Sequence, residues 1–162
     1  MYIQEHEGDY PVYSSQTENH GIMGRIDTYM YDGEYLTWTT DGANAGTVFY
    51  RNGKFNITNV CGLLKQKSAD ICLAYLYHFL SVRAKDYVNS GMGNAKLMSN
   101  VMGSIKVFLP QLNRQKQIAD TLDHFDTLCS DITAGLPAEI EARQKQYEYY
   151  RDKLLSFEPI GA

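Results

Sequence analysis

"LPQLNRQKQIADTLDHFDTLCSDITAGLPAEIEARQKQYEYYRDKLLSF", residues 109–157, decides how the chain is organised. Ile118, Leu122, Phe125, Cys129 and Ile132 recur at intervals of four, three, four and three. That repeat is a heptad seam, narrower than the stripe of a helix lying on its own globule. Gly135 interrupts it, and Pro137 suits the first turn of a new helix. On this second helix Ile140, Tyr147, Tyr150, Leu154 and Phe157 share one face, with the Arg143 stem filling the gap. The second helix spans about 20 residues, roughly 30 Å. Two such helices either fold back as an antiparallel hairpin or bury their seams against a partner. Isolated helices draw most of their stability from packing, and the reading favours the partner.

Upstream, the period changes. Tyr10–Ser14, Glu34–Thr40, Thr47–Arg51, Phe55–Asn59 and Gly62–Lys65 are rich in aromatic and β-branched residues, as short strands are. Asp32-Gly33, Asp41-Gly42 and Asn52-Gly53 punctuate them. Asn52-Gly53, between "TVFYR" and "KFNIT", predicts a tight hairpin because both residue types tolerate positive φ. Asp70–Val88 predicts a helix on the period of Leu73, Leu76, Tyr77, Leu80 and Tyr87, capped by Ser68 or Asp70. A turn-rich loop, "NSGMGNAKLMSN", leads to "SIKVFLP", read as a strand closed by Pro110. The fold class expected is α+β: a mixed domain over residues 1–110 and a coiled-coil-like helical region over 111–162.

Composition narrows the function classes. The chain has 162 residues, 44% hydrophobic and 21% charged, as globular proteins are. Residues 1–110 carry nine Lys/Arg against ten Asp/Glu, and residues 111–162 carry six against nine. The acidic excess therefore sits in the tail, leaving the first part near neutral with room for a local basic face. Cys61, Cys72 and Cys129 are odd in number and widely spaced, which suits neither disulfides nor zinc. They read as small buried residues in a reducing compartment. The histidines at 6, 20, 78 and 124 are scattered, so no metal site and no cofactor is expected. No apolar run reaches the ~20 residues of a membrane span. The start lacks a signal peptide's pattern, and a cytoplasmic address follows.

The tail, with Pro110, Gln115, Ile118, Leu122 and Asp126 followed by "RQKQYEYYRDKLL", resembles the conserved helical region of the specificity (S) subunit of type I restriction-modification systems. "YPVYSSQTENHGIMG", "YLTWTTDGANAGTVFYRNGKFNITNVCGLL" and "VNSGMGNAKLMSN" similarly resemble one version of its target-recognition domain. The resemblance implies a non-catalytic, DNA-reading subunit. In that family two recognition domains each read half of a split double-stranded DNA site, paired helices set the distance between halves, and methyltransferase (M) and restriction (R) subunits supply the chemistry. Here there is one domain and one helical region, and the segment with a Trp and a Leu-Gly pair that opens most such domains is missing. A half-length subunit that dimerises through its helices, or a fragment, is implied.

The candidate DNA contacts lie on three stretches. Ser90-Gly91-Met92-Gly93-Asn94, with Lys96, joins glycines that let backbone approach phosphate to side chains that read purine edges or neutralise phosphate. The family places the matching loop on the DNA side. Thr39, Thr40, Asp41 and Asn44 offer short polar groups at a strand end. Ser14, Ser15, Gln16, Thr17 and Asn19 form a third polar stretch. Arg25 is a phosphate candidate, as are Arg51, Lys54, Lys65 and Lys67 in the weaker sense that surface cations are. Ile118, Leu122, Phe125, Ile132, Ile140, Tyr147, Tyr150 and Leu154 are the dimer or partner interface candidates.

No catalytic motif is present: the methyltransferase Asn/Asp-Pro-Pro-Tyr/Phe, a Gly-x-Ser-x-Gly elbow and a nuclease-like acidic cluster are all missing. Glu139, Glu141 and Glu148 fall at spacings of a solvated helical face. The competing reading is an assembly adaptor or anti-restriction mimic that occupies methyltransferase subunits without reading DNA.

Overall fold

The computed structural model describes residues 2–91 and 93–155, apart from the side chains of Tyr2, residues 131–134, Ala138, Tyr147, Tyr150 and residues 151–155. Among the described residues are strands β1 (Glu7–Tyr13), β2 (Ile22–Ile26), β3 (Tyr31–Thr39), β4 (Val48–Ile57) and β5 (Cys61–Leu64), and helices α1 (Tyr2–Glu5), α2 (Leu73–Arg83), α3 (Ser99–Met102) and α4 (Leu112–Leu155). Short 3-10 turns occupy Glu18–Gly21 and Ala84–Tyr87. The class is α+β, as expected. By internal packing the chain falls into two units, Met1–Ala119 and Asp120–Ala162.

The first unit is built on one five-stranded sheet in the order β2-β1-β4-β3-β5. The β1–β4 pair is parallel and the other pairs are antiparallel. Period-two alternation in β3 sends Leu36 and Trp38 to one face and Tyr35, Thr37 and Thr39 to the other. Leu36, Trp38 and Val48 pack on the first face with Leu73, Leu80 and Ala84 and with Leu97, Met102 and Ile105. The Trp38 indole N–H, which burial would otherwise orphan, donates to the Leu97 carbonyl at 2.9 Å. On the second face the rings of Tyr13, Tyr31, Tyr35 and Phe55 meet at centroid distances of 5.4–5.6 Å.

Asn52-Gly53 is not a hairpin turn. It lies inside β4, paired across to Glu34 and Gly33 of β3. A primed two-residue turn needs positive φ at both central positions. Gly53 has it (φ +96), as does Gly33 opposite (φ +122), whereas Asn52 does not. The ladder runs through both glycines without a shift of register, and the reversal falls at residues 40–47. "SIKVFLP" is likewise not a strand: residues 105–110 join no ladder. They are held by burial of Ile105 and by the Tyr75 hydroxyl donating to the Phe108 carbonyl at 2.8 Å. The helix expected over Asp70–Val88 is shorter, Leu73–Arg83, with the 3-10 turn continuing it.

Neither Ser68 nor Asp70 caps α2. Its N-cap is Cys72, with no side-chain cap of its own. Gln115, from the first turns of α4, takes that place. Its Oε1 accepts the Cys72 N–H at 2.8 Å, and its Nε2 donates to the carbonyls of Asp70 at 2.9 Å and Pro110 at 2.8 Å. The amide is 1% exposed and every one of these bonds is internal.

The expected break at Gly135 and Pro137 is also absent, because α4 runs unbroken through both. Proline in a helix removes one hydrogen bond from the carbonyl four residues back. Residues 135–137 are exposed, so neither breaker has to be fitted into a packed core. Acid-before-partner pairs at i,i+4 line the described surface: Glu139 with Arg143 at 2.9 Å and Glu141 with Lys145 at 2.7 Å. Each contributes about 0.2–0.5 kcal/mol in this favourable orientation. Leu122, Phe125 and Ile140 are exposed and Ile118 is half-buried. The side chains of Ile132, Tyr147, Tyr150 and Leu154, and all of Met92 and Phe157, lie outside the described residues.

Replacing Gln115 by Leu keeps the volume but strands one N–H and two carbonyls. Urea unfolding of Gln115→Leu is expected to show a midpoint drop equivalent to about 2 kcal/mol, with an unchanged slope.

Candidate nucleic-acid interface

The three polar stretches singled out from the sequence are brought together, and mostly by main-chain bonds. The Gly42 N–H donates to the Ala95 carbonyl at 3.0 Å, and the Leu97 N–H donates to the Thr40 carbonyl at 2.8 Å. Asp41 and Lys96 form the bridge between these segments, and Asn89 and Lys96 exchange both backbone bonds at 2.9 and 3.0 Å. The loop over 14–21 joins from the other side, where the Asn44 amide donates to the Thr17 hydroxyl at 2.9 Å. The result is a continuous rim of hydroxyls and amides on the loops of the sheet.

Within the rim the residues divide by role. Thr39 is fully buried; its hydroxyl donates to the Asn44 carbonyl and accepts the Thr47 N–H at 3.0 Å. It holds the 40–47 turn and offers nothing to a ligand. Gln16 is exposed, but its amide is engaged within the loop, donating to the Ile22 carbonyl. Asn19, Asn44, Ser90, Gly91, Gly93, Asn94 and Lys96 are exposed, while Ser14, Ser15, Thr17, Thr40 and Asp41 are half-buried. Asn89, Gly91, Gly93, Asn94 and Lys96 line an open cleft. The Asn89 side chain accepts the Gly91 N–H at 3.0 Å and so shapes that loop, a part the sequence reading left unassigned. Arg25 shares a second cleft with Asn19, and its guanidinium donates to the Asp9 carbonyl at 2.6 Å.

The 14–21 loop contains a feature without sequence warning. Asn19 and His20 adopt left-handed backbone (φ 48 and 53) and Gly21 follows them (φ +82). Such a conformation costs a non-glycine residue roughly 1–2 kcal/mol, so surrounding bonds must hold it. Ser14 donates its N–H to the Gly21 carbonyl at 3.1 Å, which closes the loop.

Arg51 is not a surface cation: it is 6% exposed. Its guanidinium carbon lies 3.5 Å from the Tyr13 ring centroid and 4.3 Å from that of Phe49, and its Nε donates to the Thr37 hydroxyl at 3.0 Å. Burial lowers its pKa, and the Tyr13 side chain opposes that shift. Lys54 is exposed, with its ammonium 4.5 Å from the Tyr29 ring centroid, and hydrogen bonding to Tyr29 raises its pKa. Lys65 and Lys67 line a cleft with Asp32 and Glu34, where acidic neighbours weaken any attraction for phosphate. Among the described residues no group of three or more His, Cys, Asp or Glu could hold a metal ion. Nor is any helix among them long and apolar enough to cross a membrane.

Residues 3–142 match the family model of the type I restriction modification DNA specificity domain. A protein named as a type I specificity subunit in Mycoplasma pneumoniae is 46% identical over 156 residues, covering 96% of this chain and 58% of its own length. The type I restriction enzyme MpnII specificity subunit of the same organism is also 46% identical, with 96% of this chain and 47% of its own length covered. The chain thus spans about half the length of these relatives. A crystal structure of a type I restriction-modification system S subunit from M. genitalium superimposes with a TM-score of 0.62 at 20% identity, over 94% of this chain and 40% of that one.

Burial pushes the Cys61 thiol up to about 11 from 9.0, against the opposing charge of Arg51 and a hydrogen bond with Thr37. The folded value lies above the unfolded one, so the thiol's contribution is complete below the unfolded value and is lost as pH rises through the folded one. Between roughly pH 9 and 11 the wild type is expected to lose on the order of 2 kcal/mol that Cys61→Ala does not, read as the difference in their urea midpoints.

Proposed function

The chain belongs to the family of type I restriction modification DNA specificity domains, and from that premise we propose that its rim reads one half of a bipartite double-stranded DNA target. Specificity subunits are the non-catalytic component of their systems, and no catalytic role is assigned to any residue here. The observation that carries the reading is the convergence of loops 14–21, 40–47 and 89–97, the last two tied by backbone bonds and the first joined to them by the Asn44–Thr17 side-chain bond. Rigid presentation of amides, hydroxyls and one lysine is what groove recognition requires. Asn19, Asn44 and Asn94 are suited to adenine edges and Lys96 to a guanine edge or a phosphate, while Arg25 is suited to the backbone.

The region over residues 111–162, which contains α4, serves as the spacer and assembly element, and residues 1–110 serve as the recognition domain. Exposure of Leu122, Phe125 and Ile140 on α4 supports a partner helix from a second copy. A two-fold dimer would mirror its symmetry in the DNA, so an interrupted palindrome is the expected target. Methyltransferase subunits, and through them restriction subunits, dock on this assembly. The net charge of −4 means that tight DNA binding depends on those partners.

The test is to pass a randomised duplex pool over the full chain with and without a methyltransferase subunit. Enrichment of a split site in the joint assembly supports the proposal, and displacement of DNA from the methyltransferase would instead mark a mimic. Lys96→Ala is expected to weaken all duplexes evenly and reduce the salt slope by about 1, whereas Asn94→Ala costs about 1–3 kcal/mol and relaxes preference at one base pair. The double variant Leu122→Asp, Tyr147→Asp is expected to be monomeric by light scattering, and an unchanged dimer mass would count against the pairing of helices.

A further inference from the structure

Arg51 poses a physical question of its own. Arg51 as a whole is only 6% exposed, and a cation drawn out of water in this way is normally matched by a carboxylate. Among the described residues no carboxylate pairs with Arg51. Its neighbours are two aromatic rings, the Thr37 hydroxyl and the backbone of the 14–21 loop. Gly21 lies directly against it: a Cβ at that position would come within 3.0 Å of an Arg51 terminal nitrogen and 3.1 Å of the Gln16 carbonyl. The flat cation is therefore layered against Tyr13 and Phe49 and supports the turn that carries the left-handed residues Asn19 and His20.

We infer that Arg51 is a positioning residue for DNA specificity, a buried cation–π support that holds the Asn19-His20-Gly21 turn in the one conformation able to present Asn19 and His20 to base edges. The inference rests on the reading of the rim as a DNA-reading surface. Three facts converge on it. The turn is strained and needs an external hold. Gly21 is required both by its φ of +82 and by the closeness of the guanidinium. The arginine's planar shape, rather than its charge alone, fills the slot, since a lysine ammonium has neither the stacking plane nor the Nε–H that Thr37 accepts. Arg51 itself touches no DNA, so it acts only through the loop.

The experiment compares Arg51→Met, Arg51→Lys and Gly21→Ala with the wild type, each as the full chain assembled with a methyltransferase subunit. Amide hydrogen exchange reads the loop without DNA. At Ser14, whose N–H is bound by Gly21, exchange is expected to accelerate about tenfold or more in all three variants while the β3–β4 ladder stays protected. Duplexes selected by the wild type, set against unselected duplexes, read specificity: the affinity ratio is expected to fall about tenfold with an unchanged salt slope. Unchanged exchange in the loop overturns the inference. So does an even loss of affinity for all duplexes that Arg51→Lys restores, because that is the signature of charge. If the Arg51 variants fail to fold, Phe49→Leu, which removes one ring of the stack and leaves the Gly21 backbone untouched, decides the matter by the same exchange measurement. A wild type that selects no duplex would sink the DNA-reading function, while the exchange measurement would still judge the hold on the loop.

Discussion

The Gln115 amide is the joint on which the first unit closes. One buried side chain satisfies the N-cap N–H of α2 and the carbonyls of Asp70 and Pro110, binding the start of one helix to the start of the next. Burying an amide is unfavourable unless its bonds are made, and these are made only when α2, the 105–110 segment and α4 occupy their native places together. Because α2 packs on Leu36 and Trp38, the geometry of this joint reaches the sheet, and through Trp38 and Leu97 it reaches the loop that carries Lys96.

The two sheet faces do different work. The α2 side is an ordinary apolar core. The opposite side mixes rings with polar groups that are satisfied locally: Arg51 with Thr37, and Thr39 with Asn44 and Thr47. That second face lies beneath the 14–21 and 40–47 loops, so the hydrogen bonds that stabilise it also set the shape of the rim. The α2 face reaches the rim by a separate route, through the Trp38 indole and the Leu97 carbonyl.

Much of this was legible in the residues. The aromatic and β-branched residues of Glu34–Thr40 and the apolar spacing of Leu73, Leu76 and Leu80 mark β3 and α2, and the resemblance in the tail and loops leads to the family that the comparisons identify. What escaped was decided by non-local competition. Asn52-Gly53 satisfies a local turn rule, yet pairing with Glu34 and Gly33 keeps Asn52 extended. Gly135 and Pro137 are strong local breakers, but both are exposed and α4 continues through them. Strand β2 lacks a β-branched run and exists because β1 supplies its ladder. The burial of Arg51 left no trace in its sequence neighbours, since Tyr13, Thr37 and Gly21 reach it only through the tertiary fold.

The ties between the 40–47 and 89–97 loops run through main-chain amides and carbonyls, at Thr40, Gly42, Ala95 and Leu97. Main-chain groups survive side-chain replacement. The tips between those anchor points can therefore change their side chains over generations while the frame beneath them persists, without the fold first being rebuilt.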